Sequence, residues 1–147
     1  MSTQDTPPVT LARVCDAVAA TGLIPFVAEQ QVAVILPSRT VRIAVPQDNP
    51  GQGVADYPRS FDAAHADQVA EAVRNLNAST YLPKVVSTST EQGTITVHMQ
   101  HTFNWVVGAS DAQLNAEVSQ FLMATIAMMN QLDIAFPDQW AKEADHA

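Results

Sequence analysis

The sequence predicts an α+β domain: an antiparallel five-stranded sheet with helices on one side, in the order α-β-β-β-α-β-β-α. Three observations lead there. Apolar residues recur at steps of three and four near the start, middle and end of the chain, and alternate with a period of two in the runs between. The turns Glu29-Gln30 and Pro37-Ser38 are too short for a parallel crossover, so the early strands must form an antiparallel meander. A chain of 147 residues, 47% hydrophobic and 15% charged, is long and apolar enough for one domain with its own core.

Each element has a local reason. Residues 1–9, polar and broken by Pro7 and Pro8, are expected as a disordered lead-in to a single domain over 10–138. Thr10 caps a helix to about Thr21, with Leu11, Val14, Cys15 and Val18 on one face and Gly22 ending it. Strands are expected over 23–28, 31–36 and 39–45, with Pro25 placing the first at an edge because it cannot donate to a ladder. Pro46, Pro50, Gly51, Gly53 and Pro58 predict one long irregular loop over 46–60, of a length usually found covering something. Ser60 or Asp62 opens a second helix to about Asn77, with Val69, Val73 and Leu76 inward. Strands follow over 82–90 and 94–105, the latter with Ile95, Val97, Met99, His101, Phe103 and Trp105 on one face. Ser110 caps the last helix, Pro137 closes it, and 139–147 is expected as a frayed tail.

That last helix has two apolar faces. Leu114, Val118, Phe121, Thr125, Met128, Met129, Leu132 and Phe136 form a stripe that suits the domain's own sheet. Ala116, Met123, Ala127 and Ile134 form a second stripe roughly opposite. With Ile126 beside them, these residues are expected as a surface for a second subunit or another protein, or as part of a deeper core within the monomer.

Charge narrows the partners. Seven basic against fifteen acidic side chains give a net charge of −8, and the seven are scattered along the chain. Phosphate binding needs clustered cations, so nucleic acid and anionic membrane surfaces are excluded as partners. The single Cys15 allows no internal disulfide, the N-terminus lacks a secretion signal, and the apolar run over 121–129 is too short to cross a bilayer. A cytoplasmic protein is expected.

No constellation announces a reaction. His98 and His101 are three apart on a strand, so they face opposite ways and cannot share an ion. Asp62, His65 and Asp67 near the second helix start are too few for a zinc site, and read as caps and solvated groups. Cys15 is expected on a buried face as a small hydrophobe. Gly51-Gln52-Gly53 lacks the Lys and the context of a phosphate loop, and Ser87 to Thr90 read as a polar strand surface. The sequence therefore predicts no catalytic residue, no metal and no cofactor.

Several short stretches have a recognisable pattern. They are Asn75-Leu76-Asn77, Leu82-Pro83-Lys84-Val85, Gly108-Ala109-Ser110 and the Phe136-Pro137 pair. With the element order, they resemble the type III secretion chaperone-like fold, and within it the YbjN-domain family of proposed bacterial sensory transduction regulators. The resemblance covers roughly residues 10–138. It implies a non-enzymatic, commonly dimeric domain related in shape to chaperones that hold polypeptides, with no catalytic residues to carry over. The leading expectation is a homodimeric protein-binding or chaperone-like regulatory domain that offers a groove or sheet edge to an unknown protein. The alternative is a small-molecule sensor, with a pocket under the 46–60 loop lined by Met99, His101 and Phe103.

Overall fold

A computed structural model describes residues 6–37, 39–46 and 50–136. Among these the order is α1 (Leu11–Ala20), β1 (Pro25–Ala28), β2 (Gln31–Leu36), β3 (Arg39–Ala44), β4 (Gly51–Asp56), β5 (Phe61–Asp62), a 3-10 turn (Ala63–His65), α2 (Ala66–Ser79), β6 (Lys84–Ser89), β7 (Thr94–Phe103) and α3 (Asp111–Ala135). The α+β class holds, but among the described residues the sheet has seven strands, not five: the segment expected as a loop supplies β4, and β5 forms just after it, where the second helix was expected to open.

β4 lies in the middle of the sheet. It pairs with β3 on one side and β7 on the other, all antiparallel. β5 continues along the same side of β7, while β6 pairs with the opposite side. One row of neighbours, Pro25, Val34, Val41, Ala55, Met99 and Val85, therefore crosses six strands on the core face. The parallel row Phe26, Ala33, Arg42, Val54, Gln100 and Lys84 lies on the outer face.

Glycine hides β4 from sequence reading and also explains its place. Glycine weakens strand propensity, but it allows a close approach from above. A Cβ at Gly53 would lie 2.7 Å from both Cε atoms of Phe121, and one at Gly51 would lie 2.7 Å from Cζ3 of Trp105. Both rings are buried, and Trp105 stacks on Phe103 at 4.2 Å with a 13° interplanar angle. The two glycines are the floor on which α3 and the aromatic end of β7 rest.

The remaining boundaries follow their caps. Thr10 Oγ1 accepts from Arg13 N and Ser110 Oγ accepts from Gln113 N, opening α1 and α3 where expected. Asp62 caps the 3-10 turn rather than α2, so α2 starts later than predicted. Cys15 is half-buried; the fully buried face of α1 is Val14, Ala17 and Val18. Residues 6–9 of the expected lead-in are tied down: Pro7 O accepts from Ala109 N, and Arg13 donates to Pro7 O and Pro8 O. Pro137 and the expected tail lie outside the described residues.

Candidate interaction surface

α3 crosses the helical side of the sheet, and its inward stripe is core: Leu114, Val118, Phe121, Leu122, Thr125, Met128, Met129 and Leu132 are buried. Its outward side carries the predicted second stripe. Ala116, Met123, Ala127 and Ile134 are exposed, Met123 by 45% and Ile134 by 86%; Ile126 is half-buried.

The charges of α3 are engaged within the chain. Asp111 pairs with Arg13 at 2.8 Å, and Glu117 accepts from Trp105 Nε1 at 3.2 Å. Asp133 accepts from Arg39 Nη2 at 2.7 Å and from the Tyr57 hydroxyl, and Arg59 lies 3.5 Å away. Arg59 also donates to Tyr57 Oη at 2.6 Å and to the Phe136 carbonyl at 3.1 Å. This network fixes the C-terminal end of α3, where cations also complement the helix dipole. Burial, and then the bond to Asp133, push the Tyr57 hydroxyl up to about 12, against the opposing Arg59 charge. Burial disfavours the Asp133 carboxylate, but Tyr57, Arg39 and Arg59 outweigh it and hold the group below the ordinary carboxylate range.

With its acids engaged, the outward stripe of α3 carries no charge. A second apolar surface was not foreseen. Ile24, Phe26, Val27 and Ile35 are 70%, 49%, 53% and 60% exposed, and they gather at the corner formed by β1 and β2. Among the described residues β1 pairs only with β2, which leaves its other edge without a strand. Beside it runs a hollow of about 500 Å³ between α1 and Val27, lined also by Leu11, Ala12, Cys15 and Asp16. The opposite edge, β6, is polar, with Lys84, Ser87, Thr88 and Ser89. The corner was legible in one respect, because Pro25 had marked β1 as an edge.

The structure does not gather Met99, His101 and Phe103 around a hollow. Met99 and Phe103 are core residues; His101, half-buried, meets Phe103 edge-on at 4.7 Å and stacks near Phe121 at 6.2 Å. Burial lowers its pKa, and the nearby Glu117 charge only partly offsets that. His98 lies on the outer face, with Nδ1 2.7 Å from Asp56 Oδ1 and Nε2 3.0 Å from Thr96 Oγ1. The two histidines do face apart, as their spacing requires. Among the described residues no group of three or more His, Cys, Asp or Glu can hold a metal, and no helix is long and apolar enough to cross a membrane.

No family model and no curated protein matches the sequence. Among solved structures, the chain is similar to YbjN, a proposed transcription regulator from E. coli. The likeness covers 88% of this chain and 94% of that one, at 13% identity and a TM-score of 0.68. The fold is YbjN-like. An uncharacterized protein from Methanothermobacter thermautotrophicus is similar over 88% of this chain and all of its own, at 11% identity and a TM-score of 0.53.

In this YbjN-like frame the short motifs of the sequence have structural jobs. Asn77 clamps the start of β6, donating to Val85 O at 2.8 Å and accepting from Val85 N at 2.9 Å. Gly108, at φ +87°, leaves no room for a Cβ because Pro7 O would lie 2.6 Å away. Neither motif presents a reacting group.

Proposed function

We propose that the protein is a non-enzymatic regulatory domain that binds another polypeptide and works as a homodimer. The observation that supports binding is the open edge of β1, with apolar side chains exposed on both of its faces and α1 alongside. Pro25 cannot donate, but Phe26 to Ala28 of this edge carry no lysine and pair with β2 in unbroken register, so they can template an added strand. One row of the incoming side chains would enter the hollow by Val27 and the other would cover Phe26 and Ile35. Asp16, exposed and without an ion pair among the described residues, favours a segment carrying Lys or Arg. The uncharged stripe of α3 supports self-association, because a chain at −8 otherwise repels its own copy.

Two experiments test this reading. Phe26→Lys with Ile35→Lys should abolish retention of the partner recovered by the wild type while leaving the far-ultraviolet dichroism unchanged; equal retention would remove the edge as the site. Met123→Lys with Ile134→Lys should sediment as a folded monomer. A wild type that is monomeric at micromolar concentration would end the dimer reading.

A further inference from the structure

We propose that two copies of the chain pair through α3, running antiparallel about a two-fold axis level with Thr125; this rests on the homodimer reading above and adds its direction and register. Positions 116, 120, 123, 127, 130 and 134 advance by alternating steps of four and three, the spacing of a coiled-coil seam. All six are exposed, whereas the eight buried side chains of α3 lie on its opposite side. At 1.5 Å per residue the seam is ~27 Å long.

The side chains along the seam set the direction. They are Ala116, Gln120, Met123, Ala127, Asn130 and Ile134, and those equally far on either side of Thr125 complement one another. Nine residues out, Ala116 would meet Ile134 of the second copy; five out, the carboxamides of Gln120 and Asn130 would meet; two out, Met123 would meet Ala127. Each layer then holds one large and one small apolar side chain, or two amides, which keeps the helices evenly spaced. Asn130 Oδ1 already accepts from Arg39 Nη1 at 3.0 Å, which leaves its amide hydrogens to donate to the Gln120 carbonyl of the second copy. A parallel pair would instead set Ala116 on Ala116 and Ile134 on Ile134, narrow at one end and wide at the other.

Charge agrees with the antiparallel direction. A chain at −8 can meet its own copy only where acids stay apart. The acids of α3 that flank the seam are Glu117 and Asp133. In an antiparallel pair, flanking positions on the same side face each other. Glu117 would therefore face Gln131 of the second copy, and Asp133 would face Ser119, so no two carboxylates come together. Half-buried Ala124 and Ile126 would each meet their own counterpart beside the axis.

Cysteine cross-linking in a Cys15→Ala background tests the register. Ala116→Cys and Ile134→Cys, both at exposed positions, should form a mixed disulfide dimer when the two variants are oxidised together. Either variant alone should yield at least tenfold less dimer. The antiparallel pair holds identical cysteines ~27 Å apart, far beyond the ~7 Å between Cα atoms that a disulfide can span. Sedimentation of the reduced variants separates this proposal from the reading beneath it. Sedimenting dimers that cross-link like with like, or that give no mixed disulfide, would overturn the antiparallel register and leave the homodimer standing. A monomer at micromolar concentration would overturn both.

Discussion

Replacing Gly53 by alanine sets two effects of opposite sign against each other. Gly53 is not among the glycines with positive φ, so alanine can adopt its backbone conformation. In an open strand the change would stabilise by ~0.4–1 kcal/mol through the unfolded chain, with ~0.8 kcal/mol more for a buried methyl. The new Cβ, however, would lie 2.7 Å from two carbons of the Phe121 ring. That ring is fully buried and flanked by Phe103, 5.5 Å away and nearly perpendicular, and by His101. It cannot swing aside without moving its neighbours, and overpacking of this kind costs typically ~1–3 kcal/mol, sometimes more. With several ring atoms involved, we expect the upper end of that range and a net loss of about 1–2 kcal/mol. Urea unfolding followed by circular dichroism would show it as a lower midpoint at unchanged slope. In a Phe121→Leu background the same substitution should be neutral or stabilising, giving a coupling energy of at least ~1 kcal/mol. If Gly53→Ala alone raises the midpoint, the packing of α3 onto β4 described above is wrong.

Other substitutions probe the remaining joints. Thr125 Oγ1 is buried with no hydrogen-bond partner, so Thr125→Val should raise stability by ~1 kcal/mol in the same urea assay. Asn77→Ala removes both bonds to Val85 and leaves its backbone groups unpaired; a loss of ~2 kcal/mol is expected, with faster hydrogen exchange at Val85. The raised Tyr57 pKa favours the neutral phenol in the folded state. Its contribution is therefore complete below pH 10 and lost as pH rises to about 12, by at most ~2–3 kcal/mol. Tyr57→Phe should flatten that alkaline decline, measured by urea midpoints at stepped pH.

Most helices and outer strands were legible because their signals are local: Thr10 and Ser110 cap where a helix must start, and 39–45 alternates with the period of a half-buried strand. β4 was not. Gly51 and Gly53 suppress the residue pattern of a strand, and the reason they are tolerated sits 50 or more residues away in Trp105 and Phe121. The second stripe of α3 was readable because helical geometry alone separates the two faces. The β1–β2 corner was read only as an edge, since exposure of Phe26 and Ile35 depends on nothing covering the outer face. His101 was placed correctly on the core side, but Met99 and Phe103 beside it are packed into the core rather than lining a pocket.

The position of β4 bears on how the molecule comes together. The meander β1–β3 meets the C-terminal hairpin β6–β7 only through this one strand, whose own preference for extended structure is weak. The halves of the sheet are therefore joined by a seam that becomes favourable once the aromatic rings above it are in place. Closing the sheet and seating α3 are one event, dominated by contacts distant in sequence, and such topologies fold slowly and cooperatively. A chain cut between β3 and β4 should leave two fragments that each hold only part of the single core, rather than two smaller domains.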